Sequence, residues 1–408
     1  MSIKIYTVGG FIRDHLLGIT SKDKDWVVVG ATAEQMLAQG YKTVGKDFPV
    51  FLHPKTKQEY ALARTERKTA AGYTGFSFNT NTEVTLEDDL MRRDLTINAI
   101  AQDEEGNLID PYNGQQDIKD RILRHVSPAF VEDPLRVLRV ARFAARFANL
   151  GFTVAEETRL LMQQIVQSGE IASLVAERVW QELHATLQTR NPEVFFELLR
   201  ECGALKILLP ELDCLFGVPQ TKEYHPEIDT GIHTLMVLEQ AVKLSHDPDV
   251  RFAALVHDLG KGLTPKNELP KHIGHEHRGI EPVKQLCNRF KTPKSFRELA
   301  LIVTEYHLNY HRIEELKPKT VVKYLQLMDA FRRPERFEKF LLACEADSRG
   351  RTGLENKDFK QPRIFRDYFK AASEVDYSEL KEQGLQGKDF AERLTKLRVQ
   401  AVASLKKN

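Results

Sequence analysis

Cysteine is scarce in this chain, with 4 in 408 residues. Cys202, Cys214, Cys287 and Cys344 lie far apart and form no Cys-x-x-Cys pair, which excludes a zinc ribbon and a disulfide framework. Apolar runs are short: none reaches the roughly 18 uncharged residues of a membrane span, and the amino terminus has no basic-then-apolar leader. Neither membrane spanning nor secretion is therefore expected, and the expected location is cytoplasmic. An excess of one charge is lacking too, since 59 Lys and Arg balance 58 Asp and Glu for a formal net charge of +1. Any contact with nucleic acid must come from local patches rather than an overall field. There is no internal repeat or low-complexity tract, and the length allows two or three domains of ordinary globular composition.

The first thirty residues are the most informative. Ile3 to Val8 reads as a buried strand, Gly9-Gly10 as a tight exit, and Phe11, Ile12, Leu16 and Leu17 as the apolar stripe of a helix. That arrangement suits a phosphate, because paired glycines let backbone approach closely, a helix start offers N–H groups, and Arg13 adds a fork of donors. Asp23 and Asp25 precede an apolar run, Trp26 to Val29, that reads as a strand. Side chains two apart on a strand share a side, so the carboxylates would repel unless a divalent cation joins them. Mg²⁺ takes oxygen ligands and commonly binds through one or two carboxylates plus substrate phosphates. A Gly-Gly turn or an Asp-x-Asp alone is usually a solvated loop; the signal is the two together, in this order.

Thr32 and Gln35 form a capping box for a short helix that stops near Gly40. Tyr41 to Val44, Phe48 to His53 and Glu59 to Arg64 read as further strands, with Glu59 a candidate third metal carboxylate. The stretch Arg64 to Tyr73, containing Arg64, Arg67 and Lys68, reads as a mobile basic loop, either a solvated turn or a substrate contact. From about Ser127 strand signals give way to long helices. Glu132 to Phe147 puts Arg136, Arg139, Arg142 and Arg146 on one helical face. Four arginines with no acid between them repel unless an anionic ligand faces them; the plainer alternative is a solvated stripe. Helices follow over Glu156 to Gln167, Glu177 to Leu187 and Pro192 to Cys202, with Gly203 as a stop, and Pro210 to Pro226 reads as a domain boundary.

Beyond that boundary stand His233, the doublet His257-Asp258 inside the apolar run Phe252 to Leu259, then His275, His277, His307, His311 and Asp347. Imidazole and carboxylate together suit divalent transition metals. A single His in an apolar run is usually a satisfied core residue, but a His-Asp doublet within a helix can turn both side chains toward a neighbour that supplies His233. Water on such a metal is acidified and can attack phosphorus. The tail from Pro334 to Asn408 is charged and helical in pattern.

Gly9-Gly10-x-x-Arg13-Asp14 followed by Asp23-x-Asp25 resembles the head of the polymerase-β-like nucleotidyltransferases. Arg92-Arg93-Asp94-Leu95-Thr96-Ile97-Asn98-Ala99 and Glu132-Asp133-Pro134-Leu135-Arg136-Val137-Leu138-Arg139 resemble the ribose-binding and base-selecting motifs of class II CCA-adding enzymes, and the histidine order resembles the HD phosphohydrolase domain. The resemblance covers essentially the whole chain and is nearest to the multifunctional bacterial form. It implies an α+β fold: a nucleotidyltransferase head with a small mixed sheet and helices over 1–126, an all-α neck and body with a nucleotide-recognition helix over 127–224, an all-α HD domain over 225–333, and a helical tail over 334–408. It implies template-independent addition and repair of the 3′-terminal CCA of tRNA from CTP and ATP, by a monomer or homo-oligomer. The implied catalytic residues are Asp23 and Asp25, which would hold Mg²⁺, and His257 and Asp258. Gly10, Arg13, Arg93, Asp94, Asp133, Arg136, Arg139 and Arg142 are the implied nucleotide-binding residues. His233, His257 and Asp258 would hold Ni²⁺ or another divalent transition metal for 2′,3′-cyclic phosphodiesterase, 2′-nucleotidase and phosphatase activity. Glu177 to Leu183 resembles an element that supports the neck helices.

Hydrogen-bond polarity gives Asp133 and Arg136 a base-selecting role. Cytosine and adenine each present an amino donor beside a ring-nitrogen acceptor, which a carboxylate and a guanidinium match; uracil and guanine reverse that polarity. The plainer alternative has Asp133 capping the helix and Arg136 in solvent. Among rival functions, a poly(A) polymerase of the same superfamily would lack the HD domain and carry basic flanks. A protein-modifying nucleotidyltransferase with HD domains would be longer, and a catalytically dead tRNA-binding protein would not keep the Asp pair.

Overall fold

The computed structural model describes residues 3–21, 24–44, 50–68 and 76–407. The chain divides into two compact units, Met1–Leu208 and Leu209–Asn408.

In the first unit β1 (Lys4–Val8) leads through Gly9 into α1 (Gly10–Leu16), and β2 (Asp25–Val29) returns antiparallel to β1, with Val8 opposite Asp25. The inward face of α1 is Ile12, Arg13 and Asp14, while Leu16 is exposed, so the helix buries an ion pair rather than the apolar stripe expected from its leucines. Thr32 and Gln35 make the reciprocal capping box at the start of α2 (Ala33–Ala38), as their spacing requires. β3 (Lys42–Val44), β4 (Val50–Leu52) and β5 (Glu59–Leu62) extend the sheet, and β5 runs parallel to β2 with Asp25 opposite Glu59. Phe48, the expected start of β4, lies outside the described residues. β6 (Thr65–Lys68) and β7 (Phe76–Asn79) form an antiparallel pair, so Thr65–Lys68 of the expected basic loop is strand; residues 69–75 lie outside the described residues.

Next come α3 (Leu86–Met91), a short turn of helix Thr96–Asn98, β8 (Ala101–Gln102), β9 (Leu108–Ile109) and α4 (Gly114–Asp120). The mixed sheet has the order β3-β4-β5-β2-β1-β8-β9. Alternation along β2 divides its two faces between two cores: Val27 packs with Val8, Ala63, Leu90 and Ala101, and Val28 with Phe51, Tyr60 and Leu62. β10 (Ile122–Leu123) pairs in parallel with β11 (Thr153–Val154), and between them lies α5 (Leu135–Phe147). α6 (Glu156–Gln167), α7 (Ala176–Leu187), α8 (Glu193–Glu201) and α9 (Ala204–Leu208) follow, with α7 and α8 packed on α5.

The second unit is helical among its described residues: α10 (Pro210–Asp213), α11 (Thr230–Leu244), α12 (Pro248–Val256), α13 (His275–Arg278), α14 (Ile280–Arg289), α15 (Lys294–His311), α16 (Pro318–Leu327), α17 (Pro334–Arg349), α18 (Gln361–Ser373), α19 (Ser378–Glu382) and α20 (Gly387–Lys407). Where α11, α12 and α17 cross, the buried residues are small, Val237, Ala241, Ala254 and Ala346, so the helix axes approach closely. α17 thus packs with α11 and α12, although the expected boundary at 333 assigns it to the tail. The cysteines are free, and no described helix is long and apolar enough to cross a membrane.

Candidate active sites of the two units

The strand exit of the first unit needs Gly9. Its φ is +72°, and a Cβ there would lie 2.7 Å from Nη1 of Arg93. Its N–H donates to the Ile100 carbonyl at 3.1 Å, which ties the exit to the end of the Arg92–Ala99 motif. Asp25 opens β2 exposed, directly opposite the exposed Glu59 of β5. Residues paired across neighbouring strands project to the same face, so two carboxylates stand side by side at the end of the sheet. Oxygen donors of this kind are what a hard divalent cation takes. Asp23 lies outside the described residues.

Behind this edge lies a continuous buried network of charge. Nε and Nη2 of Arg13 donate to Oδ1 of Asp14 at 2.8 and 2.7 Å, and Nη1 donates to the Asn98 side chain. The guanidinium lies 5.1 Å from the ring centres of both Phe143 and Phe147. At 3% exposure, Arg13 is turned inward instead of presenting a fork to a phosphate. Burial lowers its pKa, against the opposing pull of Asp14. The other oxygen of Asp14 takes a 2.8 Å bond from Arg146, which joins α1 to α5. Arg93 donates to Asp89 at 3.2 Å and to the Asn98 carbonyl at 3.3 Å. Asp89 is fully buried and also holds Arg92 at 2.7 Å. Sequence reasoning missed Asp89; its one signal was an acid three and four positions ahead of an arginine pair.

The arginine stripe of α5 overturns one expectation. No acid interrupts it in sequence, but three acids from other elements reach it in space: Asp94 holds Arg139 at 2.6 Å, Asp14 holds Arg146, and Glu182 of α7 holds Arg142. The mutual repulsion that called for an anionic ligand is therefore already relieved. Glu182 falls in the stretch expected to support the neck helices, and this ion pair is how it does so. Arg136 is buried, not solvated, and donates to the carbonyls of Ala129 at 2.8 Å and Arg92 at 2.6 Å. Asp133 accepts from the Leu135 N–H at 3.0 Å, a capping contact, and from Arg178 at 3.2 Å.

Asp94 is the hub of the motif. Its carboxylate takes the Leu95 N–H and the Asn98 amide at 2.8 Å each, besides Arg139. Burial alone would raise its pKa, but Arg139 and the Asn98 amide outweigh that and hold it well below the usual carboxylate range. A depressed folded pKa stabilises fully above the unfolded value of about 3.9 and is lost as pH falls through the folded one. Asp94→Asn should therefore lower the urea midpoint of the first unit at pH 7, and the gap to wild type should narrow progressively below about pH 4. Both tryptophans, Trp26 and Trp180, lie in this unit, so their fluorescence reports it alone. An unchanged gap at low pH would show that the loss comes from packing.

In the second unit α12 ends at Val256, so His257 closes the helix and Asp258 lies in the turn that follows, not within a helix as the apolar run suggested. Ending there lets both side chains turn inward. His233 comes from α11 and Asp347 from α17, and all four are at most 4% exposed. Nε2 of His233 and of His257 lie 3.1 and 3.6 Å from Oδ1 of Asp347, and Nε2 of His257 lies 3.3 Å from Oδ2 of Asp258. His275 and His307 flank the other oxygen of Asp258. Gly260 permits this, since a Cβ there would fall 2.0 Å from the His275 carbonyl oxygen. Nε2 of His311 lies 2.6 Å from Oδ2 of Asp347, which accepts from it, while His277 is exposed and outside the cluster.

Two partners here were not foreseen. Nζ of Lys261 lies 2.6 Å from Asp258, and Glu227 lies 3.0 Å from Nδ1 of both His225 and His233. Burial disfavours charge on His257, yet Asp258 and Asp347 push its pKa up to about 10. The same mutual attraction, against burial, holds both carboxyls low. His257 Nε2 and Asp258 Oδ1 are buried without a hydrogen-bond partner among the described residues. Imidazole nitrogens and carboxylate oxygens converging in this way fit a divalent metal ion.

The chain matches the family model of the poly A polymerase head domain over residues 5–124, of the probable RNA and SrmB-binding site of polymerase A over 151–215, and of the HD domain over 230–333. Fold and sites together define a nucleotidyltransferase joined to an HD-type metal unit. A multifunctional CCA protein of Thioalkalivibrio sulfidiphilus is 59% identical over 404 residues, 99% of each chain. The chain belongs to the multifunctional CCA protein family. Its fold is that of the solved CCA-adding enzymes: one in complex with ATP superposes with a TM-score of 0.66 at 22% identity, covering 98% of this chain and 86% of that one. The Thermotoga maritima CCA-adding enzyme in complex with tRNA superposes at 0.63 and 21% identity, covering 99% and 92%.

Proposed function

We propose that this chain adds and repairs the 3′-terminal C, C and A of tRNA from CTP and ATP without a template, and that its second unit hydrolyses phosphate esters. The observation that carries the first activity is the register of β2 on β5, which sets Asp25 beside Glu59 next to the Gly9-Gly10 exit. Asp23 and Asp25 would hold Mg²⁺ in this reading, and the ion would supply positive charge against the phosphates of the nucleotide. The chain's own residues orient the reactants: the tRNA 3′ oxygen attacks the α-phosphorus, its proton passes to solvent water, and the bond to pyrophosphate breaks. Gly10, Arg93, Asp94, Arg139 and Arg142 surround the nucleotide, with Arg13 a positioning residue that fixes α1 through Asp14 and Asn98. A tRNA substrate implies a cytoplasmic location.

In the second unit His233, His257 and Asp258, joined by Asp347, hold Ni²⁺ or another divalent transition metal. The bound ion supplies an acidified water. Its substrates in this reading are 2′,3′-cyclic phosphates, 2′-nucleotides and phosphomonoesters. The decisive experiment incubates the protein with tRNA lacking its 3′ end, Mg²⁺ and each nucleotide singly and together, then maps the product. CTP alone should give two C residues, and A should follow only after them. Homopolymer from ATP alone would make the chain a poly(A) polymerase instead.

Base choice is a separate proposal for Asp133 and Arg136. In the present conformation both spend their hydrogen bonds on Leu135, Arg178, Ala129 and Arg92, so a base must take over part of that set. A wrong base leaves buried polar groups unpaired at about 1–3 kcal/mol each, roughly 5- to 150-fold in discrimination. Single-turnover incorporation of all four nucleotides by Asp133→Ala and Arg136→Ala should show UTP and GTP accepted to that extent. Full rejection in both variants would leave Asp133 as a helix cap, worth about 1 kcal/mol, and move selection elsewhere.

A further inference from the structure

We infer that Arg351 grips the phosphate group of the ester hydrolysed in the second unit, beside the metal ion on Asp347. This rests on the metal-hydrolase reading above and adds the residue that holds its substrate. A guanidinium keeps its charge at any working pH, so one that is largely buried is expected to find a carboxylate or a carbonyl. Arg351 finds neither. Its side chain is only 20% exposed, its Nε is sealed from solvent, and it donates no hydrogen bond among the described residues. The carboxylate oxygen closest to it, Oδ1 of Asp347, lies 4.0 Å from Nη2, beyond hydrogen-bond reach. The chain on either side is anchored to the histidine cluster. α17 ends at Arg349, and the Gly350 carbonyl oxygen lies 2.9 Å from Nδ1 of His233. A Cβ on Gly350 would fall 2.5 Å from Cγ2 of Val237, so glycine lets the chain press against α11. The Thr352 N–H donates to one oxygen of Glu227 at 3.4 Å, and the other oxygen of Glu227 lies 3.0 Å from Nδ1 of His233. Both neighbours of Arg351 are thus tied to His233 or to its partner, which fixes the side chain between them next to Asp347.

Charge decides what this guanidinium faces. Oδ1 of Asp347 also lies 3.1 Å from Nε2 of His233 and 3.6 Å from Nε2 of His257, so it points into the metal position, while Oδ2 is taken by His311 at 2.6 Å. A divalent ion on Oδ1 uses up the charge of that oxygen and leaves Arg351 beside a cation. Like charges that close in a poorly hydrated site repel unless an anion lies between them. A phosphate ester is such an anion, with one oxygen on the ion and others on the guanidinium. Arginine suits the second contact, because Nε and Nη2 form a side-on fork that matches two phosphate oxygens with bonds of about 2.8 Å. Arg13 uses the same two atoms on Asp14. Lys261 does not compete for this role, since its ammonium is spent on Asp258 at 2.6 Å and on the Gln220 side chain. A grip on the phosphate, rather than on base or sugar, serves cyclic phosphates, 2′-nucleotides and simple monoesters alike.

The test uses the full chain, stripped with a chelator, reloaded with Ni²⁺, dialysed, and given Mg²⁺ to occupy the first unit. Paramagnetic Ni²⁺ broadens the ³¹P line of inorganic phosphate bound beside it, and a titration gives the affinity. Arg351→Met should retain Ni²⁺ by metal analysis but bind phosphate roughly 10- to 150-fold more weakly, the range for losing hydrogen bonds to a charged group. KM for a 2′,3′-cyclic nucleotide and for p-nitrophenyl phosphate should rise together. Arg351→Lys, which keeps the charge without the fork, should fall between. Wild-type phosphate affinity in Arg351→Met would overturn the contact, and so would loss of Ni²⁺ from a folded Arg351→Met protein, which would make the residue a support of the metal pocket. Should Arg351→Met fail to fold, wild-type affinity in Arg351→Lys overturns the contact equally. Wild type that binds phosphate through Arg351 but hydrolyses neither ester would remove the hydrolase reading and leave the anion contact standing. Wild type that does neither overturns both.

Discussion

Asp25→Ala should abolish nucleotide addition to tRNA while hydrolysis of a 2′,3′-cyclic phosphate continues. Asp25 is exposed at the mouth of β2, so its loss removes an oxygen donor without opening a cavity. The backbone pairing from Val8 to Asp25 and from Asp25 to Glu59 does not need the side chain. The melting temperature should therefore stay close to wild type, and the defect should appear in single-turnover incorporation of CTP and ATP. Asp23→Ala should behave alike. Retention of more than a few percent of the rate in either variant would sink a mechanism in which both carboxylates hold the ion. Glu59→Ala in the same assay tells whether the carboxylate opposite Asp25 is a third ligand or only its neighbour on the sheet.

The converse holds for the second unit: His257→Ala should eliminate phosphoester hydrolysis and leave CCA addition intact. His257 contributes one ligand atom, and Asp258 carries more of the structure. Removing the Asp258 carboxylate strands the buried ammonium of Lys261, and an uncompensated buried charge costs several kcal/mol. Asp258→Ala should thus lose hydrolysis and more stability in the second unit than His257→Ala does, because it leaves a buried cation unpaired as well as opening space. Tryptophan fluorescence, which reports the first unit, should unfold at an unchanged midpoint in both variants. Loss of addition in a stably folded His257→Ala protein would show that the two activities depend on one another.

Much of this molecule is local in the physical sense and was therefore readable. The apolar run of β2, the Thr32–Gln35 cap and the length of α6 each depend on residues within a few positions, and each stands where its spacing puts it. The motif residues of the head were readable for a different reason: Gly9, Arg93 and Asp94 carry a family pattern along a continuous stretch. Less legible was which side of each residue faces inward. Arg13 and Leu16 lie on the same short helix, and composition favours burying the leucine. Asp14 and Asn98, 85 positions apart from Arg13 in the second case, reverse that preference by satisfying its donors.

By itself the sequence determined the order of strand, glycine turn and carboxylates and the change from sheet to helices near Ser127, and it offered His233, His257 and Asp258 as candidate metal ligands, because spacing along the chain carries each of these. Only the tertiary structure decided which charges neutralise which. The α5 arginines meet Asp94, Glu182 and Asp14 from three other elements, and Asp258 shares its two oxygens between His257 and His275 through approaches that Ala254, Ala346 and Gly260 leave open. Such contacts close over tens to hundreds of residues, where no periodicity carries information, and they are chosen by the requirement that every buried charge find a partner.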